Sequence, residues 1–395
     1  MKFMPCCSKE PDPDITKEIC INENQENYLN VWMNEVSRSF ALVTPCFEKP
    51  LDNVMSLSYL MCRVVDNIED CIQPMSWKRL RYIEFSRLLK EPSNAQEVLA
   101  GWGALDWPGL TADETKMMNI EDGRALWQIY AQLPEKIQSI IGYWCSVMAK
   151  GMEDTENPDR PPSFVNHSGV HVLAGVSDYN LYCYYVAGTV GRMTTELVAS
   201  YYGLSYQVTN DLSELSVACG RGLQKTNIIK DFPKDLARGM CYLPSEWMQK
   251  VMYSPLTLEG APKEWKLRVL KDVLTELDHF VSAITILPQD LLGYRLACLM
   301  CILPALQTIF KAARSQDKLF TPDHNIKISK ITFLGCIRDA QLMASNNEAI
   351  MRYSHKVESE IYREFSRNQT VCMIESKRDE SCLPTVDMGM NENTN

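Results

Sequence analysis

The stretch Asn227-Ile-Ile-Lys-Asp231-Phe-Pro-Lys-Asp235 decides how this chain folds. Its three oxygen-bearing side chains, Asn227, Asp231 and Asp235, recur at every fourth residue. Residues at that spacing lie one above another on a helix, so the pattern predicts a polar stripe on one helix face. Pro233 lies between the two aspartates and lacks a backbone donor, so we expect it to kink or end the helix.

A second acidic cluster lies far upstream, where Asp66, Glu69 and Asp70 also share one helix face. Apolar residues precede both clusters, at positions 60–65 and 223–229, which indicates that the acidic faces look into the protein. Two carboxylates 4 Å apart repel by about 4 kcal/mol at an effective dielectric of about 20, so such clusters need cations or protons. Facing stripes would suit magnesium ions that bridge carboxylates to a diphosphate ester. Either stripe alone also fits an ordinary solvated helix face.

Charge and cysteine content narrow the class of protein. The 395-residue chain has a formal net charge of −10, which disfavours a nucleic-acid partner. An anionic small substrate stays compatible, because bound metal ions can invert the local field. The 15 cysteines are scattered through mostly apolar runs without zinc spacing, and residues 1–13 contain no signal-like apolar segment. We therefore expect free thiols in a cytoplasmic protein.

Helical periodicity dominates the chain, and no glycine-rich dinucleotide motif follows a predicted strand. The sequence predicts one all-α domain over residues 26–365, with a tail at 1–25 and a disordered tail at 366–395. A long polar loop is expected from Asp154 to His171. The apolar run from Leu291 to Phe310 contains Arg295, Gln307 and Pro304, so we interpret it as a buried core helix rather than a membrane span. Such a helical domain can enclose an elongated apolar cavity.

Three ordered segments resemble the signature motifs of the squalene/phytoene synthase family, over roughly residues 28 to 350. Within that family they resemble squalene synthases more than phytoene synthases. The segments are Ser37-Arg-Ser-Phe-Ala-Leu42 with Tyr59-Leu-Met-Cys-Arg-Val-Val-Asp-Asn-Ile-Glu-Asp70, then Tyr182-Cys-Tyr-Tyr-Val-Ala-Gly-Thr-Val-Gly191, and then Gly222-Leu-Gln-Lys-Thr-Asn-Ile-Ile-Lys-Asp231, which continues to Asp235 and Tyr242-Leu-Pro244.

The resemblance implies an all-α isoprenoid synthase that joins two farnesyl diphosphates head to head, through presqualene diphosphate, to squalene. It implies these magnesium ligands: Asp66, Glu69, Asp70, Asp231 and Asp235. Catalytic roles are implied for Tyr182 and the four aspartates. The implied substrate-binding residues are Arg38, Ser39, Phe40, Tyr59, Arg63, Gln224, Asn227 and Lys230. The implied NADPH contacts are Arg38, Arg63, Lys230 and Lys327.

The sequence departs from the family pattern in places that bear on metal and cofactor binding. Lys234 occupies the position where squalene synthases usually have a glutamate, which leaves Asp231 and Asp235 in the second acidic motif. Ser329 replaces an expected arginine in the basic loop that contains Lys327. A lost bidentate phosphate contact weakens the case for NADPH.

Two alternatives therefore stay open. A related terpene synthase on the same scaffold would stop at presqualene diphosphate, or give a hydroxylated, cyclised or otherwise non-reduced product. A non-catalytic helical lipid-binding protein belongs to a different class. In each case we expect a monomer without a transmembrane anchor in this chain, touching membranes only transiently at their periphery.

Overall fold

The computed structural model describes residues 11–37, 39–155 and 160–379, with the backbone alone at residue 14 and residues 367–379. Within these ranges it contains seventeen α-helices and three short β-strands, so the predicted all-α class is confirmed. The helices of the first half are α1 Pro13–Glu18, α2 Glu23–Val36, α3 Phe40–Val43, α4 Leu51–Asp70, α5 Met75–Lys90, α6 Ala95–Gly103, α7 Ala112–Met117, α8 Ile120–Ala131 and α9 Glu135–Thr155. Those of the second half are α10 Val176–Cys183, α11 Thr189–Tyr202, α12 Tyr206–Ala237, α13 Ser245–Gln249, α14 Lys263–Ile286, α15 Leu292–Arg314, α16 Lys330–Met343 and α17 Asn347–Asp379.

Helix α12 is the central element, because it packs against α11, α14 and α15. Two glycines permit its close crossing with the α10–α11 segment. A Cβ on Gly191 would lie 2.1 Å from the carbonyl oxygen of Ser216, and one on Gly220 would lie 2.0 Å from that of Ala187. Backbone atoms cannot yield as a flexible side chain can, so larger residues at these positions would push the helices apart.

Helix α12 continues through Pro233 to Ala237, so of the two expected effects of this proline, a kink or a helix end, the second does not occur. Proline removes only one backbone donor, and helical residues continue on both sides of it. The buried Phe232 beside it packs edge-on against Phe320, with ring centroids 5.1 Å apart, and anchors this part of the helix. The stripe from Asn227 to Asp235 is therefore carried by one uninterrupted helix, as the spacing predicts.

The apolar run near residue 300 forms α15. Its length and hydropathy would suffice to cross a membrane, but 61% of its most apolar window is buried inside the protein. Arg295 is fully buried, and its guanidinium donates to the carbonyl oxygens of Ile284 at 2.6 Å and Leu287 at 2.9 Å. It also donates to the carbonyl oxygen of Ala344 at 2.5 Å. A polar side chain satisfied by neighbouring segments is typical of a core helix, as predicted.

A small sheet lies within the segment expected to be a loop. Strands β1 (Phe164–His167) and β2 (Val170–Leu173) pair antiparallel, and β3 (Met240–Cys241) pairs parallel to β2. These strands are too short for a clear alternating pattern in the sequence. Their effect is to attach the segment just after α12 to the chain before α10.

Both expected tails contain helix within the described residues. Helix α1 buries Ile15, and α17 extends to Asp379. Residues 1–10 and 380–395 lie outside the described residues. The domain boundaries stay a prediction.

A buried ion cluster fixes α12 against α14. The ammonium group of Lys225, 1% exposed, lies 2.8 Å from an Asp272 carboxylate oxygen and 2.9 Å from one of Glu276. Arg221 adds a second ion pair to Glu276 at 2.9 Å, and the Lys225 ammonium lies 4.9 Å from the ring centroid of Tyr179. Lys225 and Glu276 compensate each other away from water, and the partly exposed Arg221 and Asp272 complete the cluster at its edge.

We expect Lys225→Met to lower the free energy of unfolding by about 3 kcal/mol, because it leaves Glu276 and Asp272 undercompensated in the interior. Denaturant unfolding followed by circular dichroism measures this. The matched control is Lys250→Met, which breaks the exposed Lys250–Glu246 pair and should change the free energy of unfolding far less than Lys225→Met does. Equal losses in the two variants would contradict a structural role for the cluster.

Candidate active site

The last two turns of α4 carry the first acidic cluster. Asp66, Glu69 and Asp70 are all partly exposed, while the intervening Asn67 and Ile68 are buried. Arg63 lies one turn earlier, with a guanidinium nitrogen 3.5 Å from an Asp66 oxygen. The three carboxylates share one helix face, as the spacing predicts, but that face keeps accessible surface rather than looking wholly into the protein.

The C-terminal part of α12 carries the second cluster. Asp231 and Asp235 are partly exposed, Asn227 is exposed, and the Ile228 and Ile229 side chains are buried. The ammonium group of Lys230 lies 3.0 Å from an Asp231 oxygen. The polar stripe and its apolar flank occupy opposite sides of the helix, as expected.

The two clusters meet. Arg238, at the C-terminal end of α12, donates to Asp70 Oδ1 of α4 at 3.0 Å. The pKa of Asp235 is raised to about 7, mainly by burial and then by the negative charge of Asp231, with a smaller contribution from Asp70, while Lys234 and Arg238 oppose the shift. Carboxyl groups from both helices therefore share one electrostatic environment, and Arg238 supplies part of the positive charge that it needs.

The carboxyl group of Asp66 also has a raised pKa, of about 6. Burial is the main cause, Arg63 opposes it, and the charges of Asp70 and Glu114 add to it. Two of the five predicted ligands therefore hold their negative charge weakly in the absence of a bound cation. A divalent cation beside them would remove the electrostatic cost of ionising both.

Two pairs of aromatic rings lie near the acidic groups. Tyr182 stacks on Tyr242, with ring centroids 4.5 Å apart and the ring planes 11° from parallel. Burial raises the pKa of both hydroxyls, and the charge of Glu69 contributes to each shift. On the other side, Phe40 contacts Tyr59, with centroids 5.0 Å apart.

The Tyr59 hydroxyl accepts a hydrogen bond from the Arg63 guanidinium at 3.0 Å. Another nitrogen of that guanidinium lies 3.9 Å from Glu114. The Nε of Arg63 is buried without a hydrogen-bond partner among the described residues. Arg63 is therefore oriented by its neighbours but retains a donor that is not used within the chain.

For the remaining predicted site residues, the structure gives the exposure and the position along the chain, but fewer contacts that relate them to the acidic clusters. Gln224 is partly exposed and lies one turn before Asn227, and Ser39 is exposed just before α3. Lys327 is exposed in the segment before α16 and forms no ion pair with another described residue. Arg38 lies outside the described residues, so its predicted role stays untested.

Six apolar side chains of the helical segments between Tyr184 and Arg314 pack against the core and still keep accessible surface, which indicates an apolar hollow between these helices: Val186, Val190, Cys219, Leu223, Cys298 and Cys301. Burial raises the pKa of all three of these thiols, so they are surrounded by protein although each keeps accessible surface. An accessible side chain inside a closed shell of helices borders an internal space, and here that space is apolar.

A surface groove of about 400 Å³ lies elsewhere, between α5 and α9. None of the predicted site residues lines it. Its lining includes Arg87, Lys90 and Lys150, and it lacks the paired acidic clusters. We therefore assign the site to the meeting point of α4 and α12.

Three residues at this site escaped prediction from sequence. Glu114 contacts Arg63. Its Thr111-x-x-Glu114 pattern forms a helix capping box, which is a sufficient reason for a glutamate at this position, so the pattern does not indicate a role in the site. Tyr242 belongs to a quoted motif but had no predicted role, and its stacking on Tyr182 depends on the chain returning through β3. Arg238 lies just after the acidic stripe of α12, and no role was predicted for it.

The donor set fits hard divalent cations. Among residues 11–37, 39–155 and 160–379, no group of three His, Cys, Asp or Glu side chains could hold a metal ion by itself. Magnesium is nevertheless commonly held by one or two carboxylates, with substrate phosphates and waters completing its octahedron. Carboxylates spread over two facing helices, with the pKa of two of them raised by burial and crowding, suit that mode of binding.

A shell of helices around an apolar hollow, with carboxylates at its mouth, defines the class of all-α isoprenoid synthases. A family model described as squalene/phytoene synthase matches residues 33–332. The chain is 24% identical over 329 residues to squalene synthase from Rattus norvegicus, which covers 82% of this chain and 72% of that protein. It is 28% identical over 335 residues to squalene synthase from Cyberlindnera jadinii, which covers 82% of this chain and 69% of that protein.

Among solved structures, TcSQS in complex with the ligand BPH1237 superimposes with a TM-score of 0.69 at 22% identity, over 87% of this chain and 97% of that one. The chain belongs to the squalene/phytoene synthase family. The predicted family and the predicted enzyme class, a prenyltransferase, are confirmed. A non-catalytic lipid-binding protein is correspondingly disfavoured.

The raised pKa of Asp235 predicts how stability depends on pH when no metal is added. Between about pH 4 and pH 7 the folded chain keeps a proton that the unfolded chain has released, so this group lowers the free energy of unfolding as pH rises. Asp235→Asn should therefore stabilise the metal-free protein more at pH 8 than at pH 5, by about 2 kcal/mol, because the cost of the native carboxyl group grows by about 1.4 kcal/mol per pH unit until about pH 7.

Denaturant titrations at both pH values measure the difference. The exposed Asp323→Asn serves as control and should show the same small effect at pH 5 and pH 8. If Asp235→Asn changes the free energy of unfolding by the same amount at pH 5 and pH 8, the proposed crowding of carboxyl groups is contradicted.

Proposed function

We propose that this chain condenses two farnesyl diphosphates head to head, through presqualene diphosphate, to squalene, with magnesium and NADPH. The observation that carries the proposal is the meeting of two acidic helix faces at the mouth of an apolar hollow. Such a site matches a substrate with an anionic head and a long hydrocarbon tail. The similarity to squalene synthases supports the particular reaction.

The proposed metal ligands are Asp66, Glu69 and Asp70 of α4, with Asp231 and Asp235 of α12. Bound there, magnesium would neutralise the charge that develops on the departing diphosphate. Because α4 and α12 contribute from opposite sides, a diphosphate between them would be held by both helices. Asn227 and Gln224 lie along α12 in the direction of the hollow and would orient the substrate beside the metal ligands.

The proposed diphosphate contacts include Arg63 and Lys230, which lie among the carboxylates of their own helices. The unpartnered Nε of Arg63 is buried at the site and is available to an anionic oxygen. Lys230 is paired with Asp231 and would turn from that carboxylate to the diphosphate once cations are bound. Ser39 and Arg38 would complete this set from the segment before α3.

Aromatic faces would receive the allylic cation that remains after the diphosphate departs. Each well-placed ring stabilises a cation by about 0.5–2 kcal/mol. We assign this role to Tyr182, which is stacked on Tyr242, and to the Phe40–Tyr59 pair. The apolar walls of the hollow would keep water from the cation, which water would convert to an alcohol.

Fewer residues support the binding of NADPH than support the binding of magnesium and diphosphate. Lys327 is exposed and free of ion pairs with described residues, so it can approach a cofactor phosphate directly. Arg63 and Lys230 are each paired with a carboxylate, so a cofactor contact would require those pairs to open. The alternative product, presqualene diphosphate, is favoured by this shortage of free cations and by Ser329 at an expected arginine position.

Neutralising either acidic cluster should abolish most of the activity. We expect Asp70→Asn and Asp231→Asn each to lower kcat/KM for farnesyl diphosphate at least about 100-fold, because each removes charge that holds the cations. Release of inorganic diphosphate with magnesium present measures this. Asp211→Asn, an exposed change on the same helix α12, is the matched control and should retain activity. Retained activity in both cluster variants would refute the proposal.

Product analysis with and without NADPH tests the second half-reaction. We expect squalene when NADPH is present and presqualene diphosphate to accumulate when it is absent. Lys327→Ala should raise the KM for NADPH while leaving the first half-reaction unchanged, because it removes a phosphate contact remote from the carboxylates. Release of an alcohol or a cyclic hydrocarbon without NADPH would favour the alternative terpene synthase.

A further inference from the structure

Glu114, on α7, is fixed by contacts on two sides. Its Oε2 accepts hydrogen bonds from the backbone nitrogen and the hydroxyl of Thr111, both at 2.9 Å. Its backbone carbonyl oxygen accepts a hydrogen bond at 3.2 Å from the side-chain amide of the buried Asn67, which follows Asp66 on α4. The helix cap and the contact with α4 therefore hold this carboxylate beside the first acidic cluster.

The second carboxylate oxygen of Glu114 faces Arg63. Nη1 of that guanidinium lies 3.9 Å from Glu114 Oε1 and 3.5 Å from Asp66 Oδ2. Nη2 of the same group donates to the Tyr59 hydroxyl at 3.0 Å. One cationic nitrogen thus lies between two carboxylates, of which Asp66 is a proposed magnesium ligand and Glu114 is not.

Arg63 and a metal ion would compete for the charge of Asp66. A carboxylate that binds a divalent cation attracts the guanidinium less, and the cation itself repels it. The Arg63 side chain is only 21% exposed, so water cannot fully replace the weakened ion pair. Glu114 is already in place and can compensate the guanidinium instead.

We propose that Glu114 is a positioning residue that acts through Arg63: it remains the partner of the guanidinium while Asp66 binds magnesium. This inference rests on the proposed function. With Arg63 held by Glu114 and Tyr59, its unpartnered Nε stays available to the diphosphate. Without the carboxylate of Glu114, Asp66 would be the remaining ion-pair partner of Arg63 among the described residues, and magnesium would have to displace the guanidinium.

The test measures the magnesium midpoint, which is the magnesium concentration at which half of the chain binds inorganic diphosphate in equilibrium dialysis. Glu114→Gln removes the charge, but a glutamine can still complete the helix cap. We expect this variant to raise the magnesium midpoint at least about 5-fold, because Arg63 then holds Asp66 more firmly. Measurement at pH 8, above the pKa of Asp66 of about 6, keeps protonation of that carboxylate out of the comparison.

Two further comparisons separate this role from a structural one. Thr111→Ala removes the cap hydroxyl and keeps the carboxylate, so it should change the magnesium midpoint less than about 2-fold. In a chain that already carries Arg63→Gln, adding Glu114→Gln should also change the midpoint less than about 2-fold, because the residue through which Glu114 acts is gone.

An unchanged midpoint in Glu114→Gln, or an equal rise in Thr111→Ala, would overturn the role of Glu114 and leave the proposed function standing. A rise that is as large with Arg63→Gln as without it would overturn the action through Arg63. A wild-type chain that binds no diphosphate when magnesium is present would overturn both the inference and the proposed function.

Discussion

The mutual repulsion of carboxylates at the ends of α4 and α12 is the constraint on which this structure depends. Two helices far apart in sequence bring acidic faces together, and burial there makes the negative charges of Asp66 and Asp235 more costly. Two ion pairs within the chain offset part of that cost: Arg238 with Asp70 at 3.0 Å, and Arg63 with Asp66 at 3.5 Å. The remaining deficit of positive charge is what would attract divalent cations and, with them, an anionic substrate.

The rest of the fold keeps those faces in place. Helix α12 is held on one side by the ion pairs of its Arg221 and Lys225 with Asp272 and Glu276 of α14, and on another by the glycine-mediated crossing with α11. These contacts fix its rotation, so that the Ile228 and Ile229 side chains are buried while the acidic stripe stays accessible. The same helix carries Cys219 and Leu223 beside the apolar hollow, so it links the proposed metal ligands to that space.

Periodicity alone was enough to predict the all-α class, the stripes on α4 and α12, and the burial of α15 despite its apolar composition. Each of these depends on local spacing or on polar residues within one helix, which a sequence displays directly. The resemblance supplied the roles of individual residues, and those roles stay proposals.

Features that depend on distant contacts were not predictable in the same way. Lys225 and Glu276 meet only because α12 packs on α14, and Tyr242 reaches Tyr182 only through the small sheet. Glu114 had a sufficient local explanation as part of a helix cap. The continuation of α12 through Pro233 was missed because tertiary anchoring by Phe232 outweighed the loss of one backbone hydrogen bond.

The central claim, that both clusters act as one binding site, is tested most directly by a double-mutant cycle on magnesium-dependent binding of inorganic diphosphate. Isothermal titration calorimetry would be performed on the wild-type chain, on the Asp70→Asn and Asp231→Asn variants, and on the double variant. If the same ions hold the ligand through both helices, the double variant loses less than the sum of the single losses, by about 1 kcal/mol or more. Strictly additive losses, or diphosphate binding that needs no magnesium, would contradict the account.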